Sequence, residues 1–264
     1  MKVTKKKAIR LILMLFFLTI AVLAGRQAYQ IYAENQSGED AYTDLEQYVQ
    51  LPAELPARPD PTDEEPETSE SEEIPTSIFP EIDFDALADV NSRVVGWIYC
   101  KDTVINYPIA QAEDNDYYLH HLLDGVYNST GCIFLDCRNS SDFSDPHSII
   151  YGHHLRSGKM FAGLMAYKDQ AYYEAHPQFL LMTPSRNYIV DVFAGYVANV
   201  ADEAWKVDFG TDDEYASWIK ESIAKSWIQS EVVPTAMDRI LTLSTCSYEF
   251  DNARFVLLGV LREE

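Results

Sequence analysis

At 264 residues and a formal net charge of −22, the chain is acidic, with 42 Asp and Glu against 20 Lys and Arg. Its globular part has no stripe of Lys and Arg able to replace the counterions of a phosphate backbone, so nucleic acid is excluded as a partner. Composition changes sharply along the chain, and length alone therefore sets only a loose bound on domain number.

The first zone, residues 1–33, holds Lys2, Lys5, Lys6, Lys7, Arg10 and Arg26 and no acid. Leu11 to Gly25 is an uncharged apolar run. With Arg10 and Arg26 snorkelling, residues 8–28 supply about 20 helical residues, or about 30 Å at 1.5 Å per residue, the thickness of a hydrocarbon core. The basic residues 1–7 are expected to stay in the cytoplasm, which makes the protein a single-pass plasma-membrane protein with everything after Arg26 outside. The basic start and the small residues before Gly25 also fit a cleaved signal peptide. Both readings export the globular part.

The second zone reverses the charge. From Glu34 to Glu73 there are fourteen acids against Arg58 alone, interspersed with Pro52, Pro56, Pro59, Pro61 and Pro66. Such a mixture buries too little apolar surface to offset its ordering entropy, so residues 29–80 are expected to be a disordered acidic tether spanning roughly 35–40 Å. Within it, Tyr42 to Leu51 carries a weak amphipathic helical pattern.

Residues 81–264 can bury a core. Asp83 is a candidate N-cap for a short helix to Ser92, with Phe84, Leu87 and Val90 on one face. Strand-like segments follow at 94–99, 104–109, 131–136, 148–151, 178–183, 188–200, 240–245 and 254–261, each rich in β-branched and aromatic residues between turn signals. Helices are expected at 116–123, 161–167 and 212–226. The last has Tyr215, Trp218, Ile219 and Ile223 at helical spacing, with Asp212 and Asp213 at its N-terminus. Eight short strands with few helices between them argue for a mainly β domain closed, or nearly closed, into a barrel.

Three residues at strand ends could carry chemistry. Cys246 ends the apolar strand 240–245, where its sulfur could face a groove; a buried, inert thiol is the plainer reading. Arg254 opens the last strand. If these two strands pair as a hairpin, Cys246 and Arg254 become cross-strand neighbours, and the guanidinium could stabilise a thiolate or an oxyanion. His153 follows the strand 148–151 and Gly152, with His154 beside it. Spacing alone does not make the three converge. Cys100, Cys132 and Cys137 read as packing residues, since an extended strand between Cys132 and Cys137 keeps them too far apart to bridge. His147, His153 and His154 lack the paired helical spacing of a zinc site.

These residues resemble the sortases of Gram-positive bacteria, and within them class B. The likeness rests on Thr-Leu-Ser-Thr-Cys at 242–246 with Tyr-Glu-Phe at 248–250, on Ala-Arg-Phe-Val at 253–256 and on Ile-Tyr-Gly-His-His at 150–154. Val-Gly-Trp-Ile at 95–98 and the segment 131–136 extend it over most of residues 82–262. The resemblance implies an eight-stranded sortase-like barrel with an added N-terminal helix and a long helix before the cysteine-bearing strand. It also implies Cys246 as nucleophile, His153 as proton-transfer partner and Arg254 as oxyanion stabiliser, with no cofactor and no metal. His154 remains a neighbour without an assigned role. Ser244, Thr245 and Tyr248, which flank the cysteine, are the expected substrate contacts. The implied activity is transpeptidation: cleavage of a Leu-Pro-x-Thr-Gly or Asn-Pro-x-Thr-Asn sorting signal near the C-terminus of a secreted protein, and transfer to a peptidoglycan precursor amine. The alternatives are a pilus-polymerising sortase that uses a pilin lysine, a cysteine hydrolase, and a membrane-tethered β-barrel that binds extracellular peptides without cutting them.

Overall fold

The computed structural model describes residues 5–52 and 77–264. The middle of the expected acidic tether, residues 53–76, lies outside them. What precedes it differs from expectation. Helix α1 runs unbroken over Lys5–Leu45 rather than ending near Ala28. No proline occurs before Pro52 to stop it, and its last turns gain tertiary partners, with Tyr42 and Leu45 buried against the domain. Its first half leaves Leu11, Phe16, Phe17 and Leu23 exposed and is long and apolar enough to cross a membrane.

After a 3₁₀ turn at Glu46–Tyr48, strand β1 (Val49–Gln50) pairs antiparallel with β2 (Glu81–Ile82). The Asp83 amide also donates to the Tyr48 carbonyl at 3.0 Å. The two ends of the acidic segment thus lie side by side, so this segment does not set the distance between α1 and the domain. Helix α2 (Phe84–Val90) starts as expected, with the Asp83 carboxylate accepting from the Ala86 amide.

The eight expected strands are all present: β3 (Val94–Tyr99), β4 (Asn106–Ala110), β5 (Ile133–Leu135), β6 (His147–Tyr151), β7 (Gln178–Met182), β8 (Asn187–Asn199), β9 (Arg239–Cys246) and β10 (Ala253–Glu263). They close into a barrel in the order β10-β8-β7-β3-β4-β5-β6-β9, in which only the β4–β5 and β6–β9 pairs are parallel. Closure leaves no barrel edge unpaired. Leu241, Leu243, Phe255 and Leu257 join the interior core. Alternate residues Ile240, Val256, Leu258 and Val260 form a second apolar layer outside the barrel.

That outer layer is covered by helix α4 (Asp212–Lys225), which lays Tyr215, Trp218 and Ile219 on it. Thr211 caps α4 by accepting from the Glu214 amide, and acids occupy the first turn. A short helix absent from the sequence reading, α3 (Gln170–Ala175), follows a 3₁₀ stretch at Phe161–Lys168. The helix expected at 116–123 is instead a single 3₁₀ turn, Tyr117–Leu119. Its carbonyls are committed elsewhere: that of Tyr118 accepts from the Cys132 amide, that of Leu119 meets the His153 ring, and that of His120 accepts from Asn128. They are not free to continue a helix.

Candidate active site

Strand pairing determines which side chains meet. In the parallel β6–β9 ladder Tyr151 is opposite Ser244. The register is carried past the ladder's end by the Gly152 amide donating to the Ser244 carbonyl at 3.0 Å and by Thr245 Oγ1 donating to the Gly152 carbonyl at 2.8 Å. The next residues on each strand, His153 and Cys246, are therefore neighbours. In the antiparallel β9–β10 hairpin Arg254 is the Cα partner of Cys246, so the two side chains share a face. All three expected residues thus come to one end of the barrel, each half-buried.

His153 is held firmly. Its Nε2–H donates to the Leu119 carbonyl at 2.9 Å, which leaves Nδ1 as the nitrogen not engaged by the backbone. The ring edge lies against Gly131: a Cβ built there would come within 2.8 Å of His153 Cδ2 and 2.6 Å of the Tyr118 carbonyl. With φ at +63°, this position also favours glycine by backbone conformation. Burial holds the His153 pKa below its ordinary value; the Leu119 contact opposes the shift and the neighbouring His120 adds to it. His154 donates through Nδ1 to the Cys246 carbonyl at 2.8 Å, and its ring packs against Tyr248 at 5.2 Å.

Arg254 donates to the Ala253 carbonyl at 2.9 Å. Among the described residues the Cys246 sulfur makes no hydrogen bond, as is common before a substrate draws a catalytic set together. The expected substrate contacts divide. Tyr248 is 76 % exposed beside the cysteine, whereas Ser244 and Thr245 are buried, with their hydroxyls used inside the fold. The Thr245 hydroxyl holds Gly152, and that of Ser244 accepts the Trp205 indole N–H at 3.0 Å.

Further residues brace this end of the barrel. The buried Asp136 carboxylate takes two bonds from Arg138, at 2.8 and 2.6 Å, and one from the Tyr151 hydroxyl at 2.8 Å. Burial raises its pKa, but these donors outweigh it and the net shift is downward. Arg138 also reaches the Trp205 carbonyl at 3.2 Å, so β5, β6, β9 and the chain before α4 are tied together. In the loop after Cys246, Glu249 accepts from both Ser247 and Lys168. The Lys168 ammonium lies 5.2 Å from the Trp227 ring centroid. The sequence reading passed over Gly131, Trp205 and the Leu119 carbonyl. Gly131 offered one signal, a glycine at the head of the strand-like segment 131–136; a backbone acceptor offers none.

His147 lies apart from this group, and Cys132, next to Gly131, belongs to the interior core. Each His147 nitrogen is engaged, Nδ1 donating to the Lys206 carbonyl at 2.6 Å and Nε2 accepting from the Thr242 hydroxyl at 2.7 Å. Burial pushes its pKa down to about 4. Cys132 is wholly buried, which pushes its thiol up to about 12 and makes it inert at neutral pH.

No protein-family model matches the chain. Curated proteins do. The chain is 38 % identical over 177 residues to sortase B of Listeria monocytogenes, covering 66 % of this chain and 72 % of that protein. Among solved structures it is similar to a Staphylococcus aureus sortase B–substrate complex, with 34 % identity, a TM-score of 0.65 and coverage of 68 % of this chain and 84 % of the other. Sortase B of Clostridium perfringens gives a TM-score of 0.65 at 31 % identity, over 68 % of this chain and 99 % of that one.

Proposed function

The chain belongs to the sortase B family of transpeptidases, and from that premise we propose that it cuts a Leu-Pro-x-Thr-Gly or Asn-Pro-x-Thr-Asn sorting signal after the threonine and joins the new carboxyl end to a peptidoglycan amine. The observation that carries this reading is the strand register that makes Cys246 a neighbour of both His153 and Arg254. A relative has been solved as a substrate complex, and a sortase B also in complex with triglycine.

In this reading the Cys246 thiolate attacks the carbonyl carbon after threonine, and the guanidinium of Arg254 stabilises the oxyanion that forms. The tetrahedral species collapses as the C–N bond breaks and His153, protonated on Nδ1, gives its proton to the departing amine. A thioester on Cys246 remains. An incoming amine then attacks that thioester, His153 takes its proton, and the thiolate leaves as the new amide forms. Leu119 fixes the ring so that the same nitrogen faces both transfers.

Helix α1 would cross the plasma membrane once, with residues 1–7 inside and the barrel outside. This is supported by its basic start and its apolar, exposed first half. The test is a panel of fluorogenic sorting peptides with and without triglycine, with products weighed by mass spectrometry. Cleavage with triglycine addition, lost in Cys246→Ala, is expected. Cleavage at a rate indifferent to amine would indicate a hydrolase, and binding without cleavage would sink the reading.

A further inference from the structure

One face of helix α1 reaches the loop that cradles His153. Residues 34, 38 and 42 recur every four positions, so they lie in one row. Each meets the segment 128–131. Glu34 accepts from the Ser129 amide through Oε1 at 2.8 Å and from the buried Asn128 side chain through its carbonyl at 2.9 Å. Gly38 lets the backbones approach, since a Cβ there would stand 2.4 Å from Thr130 Oγ1. Tyr42, 8 % exposed, donates its hydroxyl to the Gly131 carbonyl at 2.6 Å.

The neighbouring Glu39 pairs with Lys159 at 3.1 Å, and Lys159 precedes Met160, which bridges to His154. The helix therefore grips both the segment that touches the His153 ring and the one that follows the two histidines. Gly131 is the shared point: its carbonyl is held by Tyr42, while its Cα leaves no room for more than a hydrogen between it and the imidazole. These contacts are far from Cys246 in sequence.

We propose that the domain-side end of α1 positions the catalytic imidazole, with Tyr42 acting through Gly131 to fix the ring of His153 toward Cys246. The proposal rests on the reading of His153 as the proton-transfer group. Tyr42 and Glu34 are then positioning residues, and a sortase cut free of its helix would keep its barrel while losing the orientation of its histidine. The titratable and charged groups around the ring are His120 just after the 3₁₀ turn, His154 beside it, and Cys246 and Arg254 on β9 and β10.

The test uses the full chain, labelled in its histidine rings and held in nanodiscs, and compares wild type with Tyr42→Phe, which removes one hydroxyl and keeps the ring. Tyr32→Phe, exposed on the same helix, is the control. In Tyr42→Phe the His153 titration midpoint is expected to rise by about half a pH unit toward its ordinary value as the cradle loosens. With a sorting peptide, kcat is expected to fall about fivefold with KM unchanged, the size of one lost hydrogen bond. A His153 midpoint and a kcat equal to those of wild type would overturn the proposal. If Tyr42→Phe fails to fold, Glu34→Ala, which spares the tyrosine, is read the same way. Absence of peptide–amine joining in wild type, with the midpoint shift still present in Tyr42→Phe, would instead overturn the site reading and leave the coupling standing.

Discussion

Arg254 reaches the cysteine by strand pairing rather than by a loop, so its place is as rigid as the β9–β10 ladder. A planar guanidinium can give two parallel hydrogen bonds to an oxyanion, which an ammonium cannot copy. Arg254→Lys should therefore lower kcat by about 10²–10³-fold with little change in KM, as for loss of an oxyanion donor; steady-state rates on a sorting peptide decide it, and an unchanged kcat would remove Arg254 from the chemistry. His153 has a second signature. Burial holds its pKa below the ordinary value, so the imidazolium population is lost as pH rises through that lowered value while the thiolate population grows. The rate should trace a bell whose acid limb lies below about pH 6.5. A profile flat from about pH 5 to 10 would count against the pair.

At the scale of elements, β6 is clamped from outside by α4 and the chain before it. His147 carries that clamp, bonded to the Lys206 carbonyl and to Thr242 of β9, with the Trp218 ring 4.5 Å away. Its folded-state pKa is about 4, against about 6.5 in an unfolded chain. Between those values the unfolded chain binds the proton and the folded one does not. The stability it contributes is thus complete above about pH 6.5 and is lost as pH falls toward 4, amounting to about 3 kcal/mol. Urea unfolding at a series of pH values should show that loss, and His147→Gln should flatten this stretch of the curve. Equal slopes in the two proteins would show that His147 does not titrate there.

For the whole molecule, the continuity of α1 replaces a flexible tether with a stalk. From Arg26 to Tyr42 a helix rises about 24 Å, which would hold the barrel at a set height and orientation above the membrane. Because β1 and β2 join the ends of the acidic segment, cutting within residues 53–76 should leave the barrel on its helix. A protease site placed there tests this in membranes: after cleavage, residues 77–264 should stay in the membrane fraction, and Gly38→Leu, which forces a side chain against Thr130, should release them. Immediate release of the wild-type barrel would mean the covalent segment alone had held it.

The apolar run at 11–25, the eight strands and the row of α4 were legible in the chain because each rests on local periodicity, which sequence carries directly. Cys246, His153 and Arg254 could be named from their motifs. That they share one end of the barrel was decided by ladder register, which depends on pairings between residues about 90 positions apart. The same holds for the far end of α1 and for the turn at 117–119. One gained a surface to bury Tyr42, and the other gave its carbonyls to Cys132 and His153. Local propensity has no access to such partners until the barrel has closed, so only the tertiary structure could settle them.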